Sequence, residues 1–169
     1  MDLFSEKPAE RKGLNKGLVI GGLVGVALIA AVIFALSFRP TVEDQKAKIL
    51  DAAYKEGTPE FAELNKEIII ATNENTVQSP NGFGAISMYI VGNIRNKGTK
   101  PIDILEVNVA VVDSQNKVLK EKRVLVAPAQ VPRIEPGQTV TITPQIDGFD
   151  RKDDRANIRW KVTAIRAAN

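Results

Sequence analysis

The chain has 169 residues, 44% of them hydrophobic, with 23 Lys and Arg against 20 Asp and Glu. It contains no His and no Cys, which excludes a Ser-His-Asp or Cys-His nucleophile pair, a thiolate or imidazole metal site, a disulfide framework and the usual haem ligands. Residues 40–169 carry 18 basic and 17 acidic residues, too even a balance for phosphate-dominated binding over a whole domain despite a pI near 9.2, so no nucleic-acid partner is expected.

Residues 1–16 read as a short cytoplasmic N-terminal tail containing Lys7, Arg11, Lys12 and Lys16. Residues 17–38, GLVIGGLVGVALIAAVIFALSF, then run for 22 residues without a charge. A helix of that length spans about 33 Å, close to the ~30 Å hydrocarbon core in which a backbone must satisfy its own hydrogen bonds. The segment therefore reads as one transmembrane helix kept as a signal-anchor. The competing reading is a cleaved secretory signal, since basic residues precede the apolar run and Ala35-Leu36-Ser37 fits a small-residue cleavage pattern; such signals, however, have apolar regions of only ~7–15 residues. Under either reading, residues 39–169 are exported. Arg11, Lys12 and Lys16 crowd one flank while Arg39 stands alone beside the other, which favours a cytoplasmic N-terminus and an extracytoplasmic C-terminal domain, periplasmic or extracellular.

Within the span, Gly17, Gly21 and Gly25 recur every four residues. That spacing places them on one face, where a second helix could approach closely, and the expectation is a helix-pairing face. The plainer explanation is that Gly is common in membrane helices.

Residues 39–66 read as an amphipathic helix and linker. Val42, Ile49, Leu50, Ala53 and Tyr54 fall near helical spacing, Thr41 with Asp44 approximates a capping box, and Gly57 offers a stop. The apolar stripe is expected to rest on its own domain or on the bilayer surface, with a partner helix as the sharper alternative. After Gly57 no further helical pattern is expected.

From Glu67 the period falls to two, and residues 67–169 are expected to form a β-sandwich domain. Ile68-Ile69-Ile70 opens it; Ile86, Met88, Ile90, Gly92 and Ile94 mark one face of the next strand, and Leu105, Val107, Val109 and Val111 one face of the third. Val118 to Val126 make a fourth strand, Val140, Ile142 and Ile146 a fifth, and Ile158, Trp160, Val162 and Ala164 close the pattern. Ser114-Gln115-Asn116-Lys117 suits a tight hairpin, and Glu135-Pro136-Gly137-Gln138 has the Pro-then-Gly order of a type II turn. The expected fold is mainly β: an immunoglobulin-like antiparallel sandwich preceded by a single transmembrane helix and a short amphipathic helix.

Gly92-Asn93-Ile94-Arg95-Asn96-Lys97-Gly98, Pro101-Ile102, Val107 to Asp113, Asn116-Lys117-Val118 and Ile134 to Gln138 follow one another in an order that resembles FxLYD-like bacterial extracytoplasmic domains. The likeness covers roughly residues 85–166, with Val109, Val111, Val112 and Asp113 at the Phe, Leu, Tyr and Asp positions of the naming motif. It implies an immunoglobulin-type sandwich outside the membrane, behind an N-terminal anchor, and transfers no catalytic residue.

The candidate metal constellation is Asp147, Asp150, Asp153 and Asp154, because calcium takes oxygen ligands. Arg151, Lys152 and Arg155 stand among these acids, so the plainer reading is a solvated, locally neutralised loop. Glycoside hydrolysis, which can run on two carboxylates, lacks a positioned acid pair here, and Trp160 sits among apolar neighbours that suit core packing. Lys117, Lys120, Lys122, Arg123 and Arg133 crowd one region, read either as a charged edge that discourages aggregation or as a contact for anionic lipid or polymer. Phe83 between glycines is a binding tip or a hairpin plug.

The resulting expectation is a non-enzymatic, single-pass membrane protein whose β-sandwich serves as an interaction or structural module in the cell envelope. The alternative is a sandwich that binds calcium or an envelope polymer. Expected partners are the lipid bilayer and another envelope or membrane protein, with self-association through the transmembrane helix; no catalytic residue or cofactor is expected.

Overall fold

The structure, a computed structural model, describes residues 16–37, 41–82 and 84–168. Lys7, Arg11, Lys12, Arg39 and Phe83 therefore lie outside the described residues. The chain divides into two compact units, residues 1–41 and 42–169.

In the first unit, helix α1 covers Lys16–Ser37. Its large apolar side chains are exposed all round, from Ile20 at 62% through Leu23 and Val26 at 66% to Ile33 at 59%. Among the described residues none of its side chains is buried, and it is long and apolar enough to cross a bilayer.

In the second unit the elements run α2 (Val42–Asp51), β1 (Tyr54–Lys55), α3 (Pro59–Lys66), β2 (Ile68–Thr72), β3 (Val77–Pro80), β4 (Ile86–Tyr89), β5 (Gly92–Asn96) and β6 (Ile102–Val112). They continue with β7 (Val118–Ala127), β8 (Thr139–Ile142), β9 (Gln145–Phe149) and β10 (Asn157–Ala167). All strand pairings are antiparallel. One sheet has the order β1-β10-β6-β7; the others are β2-β5-β8 and β3-β4-β9.

The two three-stranded sheets continue each other. Ile90 N donates to Pro144 O at 2.9 Å and Asn73 N to Val91 O at 2.7 Å, so pairing persists across the breaks between β4 and β5, β8 and β9, and β2 and β3. Pro144 has no N–H to give a ladder, which is why a segment with one continuous alternating pattern divides there. Gly148, at φ 79°, lies in the irregular register where Ile86 pairs with Phe149 and Met88 with Ile146. Such a bulge needs a residue that tolerates the left-handed region.

The four-stranded sheet packs against both of these. Ile94, Leu105, Val107, Ile142 and Ile165 belong to one buried cluster, and Met88, Val109, Val111, Ile146 and Phe149 to a second. Strand β6 supplies both, through the Leu105, Val107, Val109 and Val111 face that the alternation predicts. Most of its opposite face is buried as well: Ile104, Glu106 and Ala110 are at most 6% exposed and Val112 is fully covered, with Asn108 half-buried among them. A strand buried on both faces loses the polar half of its alternation.

Three expectations are corrected. The helix read through to Gly57 stops at Asp51, because Tyr54–Lys55 leave it to pair with Ile165 and Ala164 of β10. A helix does follow Gly57: Thr58 caps α3 by accepting from Phe61 N at 3.3 Å, and Pro59 occupies its first turn. Phe61 from this helix enters the core. Finally, the Ile158, Trp160, Val162, Ala164 alternation breaks at a register shift between Val162 and Ala164. Ile165 consequently pairs with Leu105 on the core side, while Ala164 pairs with Glu106 on the opposite face.

The two predicted turns form. Asn116 N donates to Asp113 O at 3.0 Å, with Asn116 at φ 64°. Gln138 N donates to Glu135 O at 3.0 Å, with Gly137 at φ 77°, as a type II turn requires.

Candidate functional site

The outer face of the four-stranded sheet carries a groove of about 940 Å³ in the second unit. The β6 register builds its floor. Asn108 lies between Lys161 of β10 and Arg123 of β7, and Ala110 lies between Arg159 of β10 and Glu121 of β7. Residues directly opposite across a ladder share a face, so these side chains rise on one side of the sheet. Ala47 and Leu50 of α2 form a wall.

Glu106 is the anchor of this face. Only 3% exposed, it meets Lys46 Nζ of α2 at 2.6 Å and accepts from Thr163 Oγ1 at 2.7 Å. Burial alone would raise its pKa. The hydrogen bonds from Lys46 and Thr163, with the charges of Lys46 and Arg123, outweigh burial and hold the carboxyl below its ordinary value. Thr163 sits at the register shift in β10, and the extra residue is what brings its hydroxyl to the carboxylate. Sequence reasoning passed over Glu106, since a Glu between Leu105 and Val107 reads as the wet side of a strand and its cation lies sixty positions earlier.

Further charges on the face are paired. Lys161 Nζ is 2.7 Å from Glu56 Oε2, Lys55 Nζ is 3.6 Å from Asp51 Oδ1, and Asn108 Nδ2 donates to Glu121 Oε2 at 2.7 Å. Arg123 and Arg159 are exposed and form no hydrogen bond or salt bridge among the described residues. Asn108 Oδ1 is shielded from solvent and has no donor.

The acidic loop is organised differently. Asp153 Oδ2 accepts from Asp150 N at 2.7 Å, Asp150 Oδ1 from Lys152 N at 2.9 Å, and Asp154 Oδ2 from Ser114 N at 3.1 Å. Asp147 accepts from Gln145 Nε2 at 2.7 Å. Hydrogen bonds from Ser87 and Gln145 hold the Asp147 carboxyl below its usual range, and the Ser114 side chain and backbone do the same for Asp154. Asp150, Asp153 and Asp154 thus close a turn or pin a neighbouring loop, and Asp147 ties β9 to Ser87 of β4. Among the described residues no three acidic side chains gather at a metal-binding spacing.

The cationic edge is also resolved. Lys122 donates to Gln145 O at 2.9 Å and Lys120 lies 5.9 Å from the Phe149 ring centroid, so both turn from β7 toward β9 and cover the flank of the core. Glu121 and Arg123 point to the groove side, as alternation predicts. Gly21 and Gly25 of α1 have no atom near the space a Cβ would fill.

No family model matches the chain, and no curated protein matches it. Among solved structures, the chain is similar to the X-ray structure of a Northeast Structural Genomics Consortium target at 12% identity, with 62% of this chain and 86% of that chain covered and a TM-score of 0.40. It is also similar to a candidate ApaA protein from Bordetella pertussis at 16% identity, with 59% and 90% covered and a TM-score of 0.36.

Proposed function

We propose that the protein is a single-pass membrane protein of the cell envelope whose extracytoplasmic β domain is a non-enzymatic interaction or structural module. The observation that carries this reading is the bare apolar surface of α1. Eleven large aliphatic or aromatic side chains on this helix are 40% or more exposed, an arrangement costly in water and favourable in hydrocarbon. The basic residues preceding the span favour a cytoplasmic N-terminus. Behind it, the packed antiparallel layers are read as an immunoglobulin-like sandwich of the FxLYD-like kind, and the lack of His and Cys supports a binding rather than a catalytic role.

Membrane fractionation with alkaline carbonate extraction, protease accessibility of the domain in intact cells and spheroplasts, and pull-down from neutral detergent test this reading. The expected result is an integral membrane protein with a protease-accessible domain that brings down a defined membrane or envelope partner. A chain found free in the soluble fraction, or a domain protected from external protease in spheroplasts, overturns it.

A further inference from the structure

Resting on that reading, we propose that the groove on the outer face of the four-stranded sheet binds an extended acidic peptide segment of a partner protein. Two features define the occupant. The first is charge: Arg123 and Arg159 flank the floor on opposite strands, one opposite Asn108 and the other opposite Ala110, and both lack a hydrogen-bond or ion-pair partner among the described residues. With strands ~4.8 Å apart and a two-residue offset of ~6.7 Å along them, their backbones stand about 12 Å from each other across β6. Two guanidinium groups so placed suit carboxylates carried by one extended chain.

The second feature is the mixture of polarity. Glu121 lies beside the arginines, exposed to solvent and accepting from Asn108 Nδ2. A peptide offers N–H groups to this carboxylate while its acidic side chains meet Arg123 and Arg159. A uniformly anionic membrane surface would instead press against Glu56, Asp51 and Glu121 on the same face. The concave shape and mixed sign thus favour a peptide over a lipid surface. The Lys46–Glu106 pair sets the groove's wall by holding α2 to the sheet.

The test uses the full chain in neutral detergent and a short fluorescein-labelled peptide of alternating Glu and Ser, with a Lys-Ser peptide and phosphatidylglycerol vesicles as comparisons. Anisotropy should show binding of the Glu-Ser peptide alone, weakening as salt rises. R123Q/R159Q should weaken it by about tenfold or more while the domain keeps its far-UV circular dichroism spectrum, since both side chains are exposed. R123E/R159E should reverse the preference toward the Lys-Ser peptide. Glu-Ser affinity undiminished in R123Q/R159Q overturns the proposal, as does arginine-dependent binding of the vesicles in place of the peptide. Pull-down separates this from the broader reading: a defined partner recovered equally by wild type and R123Q/R159Q overturns the groove alone, whereas no partner for either overturns the interaction module itself.

Discussion

Trp160 of β10 lies so close over Gly92 of β5 that a Cβ on Gly92 would meet the indole Cη2 and Cζ2 at 2.6 Å. The indole Nε1 also donates to Thr72 Oγ1 at 2.9 Å, and the ring packs against both core clusters. One aromatic thus joins the four-stranded sheet to the layer facing it, and a glycine in the opposing strand makes room for it. Gly92→Ala should destabilise the protein by about 1–3 kcal/mol through overpacking. Trp160→Phe should relieve part of that clash, so that the double substitution costs less than the two single ones summed. Denaturant unfolding followed by the fluorescence of the chain's one Trp, and by circular dichroism for the Phe variants, measures both; strictly additive losses contradict the contact.

Lys46→Ala should leave the Glu106 carboxylate without its closest cation and cost about 1–3 kcal/mol, below the range for a fully buried pair because Lys46 is partly exposed and Thr163 still donates to the carboxylate. Adding Glu106→Gln should recover much of that loss, because a neutral amide needs no counter-charge. The comparison is the unfolding free energy of Lys46→Ala with and without Glu106→Gln; no recovery means that Lys46 acts through something other than this pair.

The same carboxylate sets an acid limit. Its folded-state pKa lies below the ordinary 4.5, so the stabilisation it provides is complete above that value and disappears as pH falls through the lower folded pKa. Melting temperature should be insensitive to Glu106 between about pH 7 and 5 and should fall below that window. Glu106→Gln should fall less steeply in acid, and parallel acid profiles for the two proteins would contradict the assignment.

Asn96 is fully buried and ties three backbone groups together: its Nδ2 donates to Lys100 O at 2.8 Å and to Ile134 O at 3.1 Å, while its Oδ1 accepts from Gly98 N at 3.0 Å. Asn96→Ala should cost about 2–4 kcal/mol, from the loss of three hydrogen bonds that leaves Lys100 O and Gly98 N without this partner, while Ile134 O keeps its bond from Ile102 N. Thermal unfolding gives the size, and a loss below about 1 kcal/mol would assign the stability of this turn to its backbone bonds instead.

Val26→Arg places a charge near the middle of α1. Membrane insertion should become about 2.5–3.5 kcal/mol less favourable, lowering the fraction of chain that resists carbonate extraction. Unchanged resistance would show that α1 is not what holds the protein in the membrane.

How much of this was legible in the sequence depends on whether the cause was local. The valines at 107, 109 and 111 announce their face because a strand repeats every two residues, and Pro136-Gly137 announces its turn through fixed and positive φ values. The cap on α3 was also legible, in Thr58-Pro59, yet it followed a glycine that already offered a plausible stop. Glu106 was not legible, because its burial comes from α2 folding over β6 and from the one-residue slip at Thr163, neither of which leaves a pattern in nearby residues. The groove was invisible for the same reason: Arg123 and Arg159 become neighbours only through their separate pairings with β6. The acidic loop shows the reverse, with four carboxylates dense in sequence and each answering a different backbone or side-chain donor in space.

The position of β6 between β10 and β7 has a consequence for how the opening of this domain can be followed. Amide protons of a central strand paired along both edges exchange with deuterium only when the whole unit opens. Peptides spanning Ile102–Val112 therefore act as an internal clock for global opening, readable by mass spectrometry without chemical denaturant.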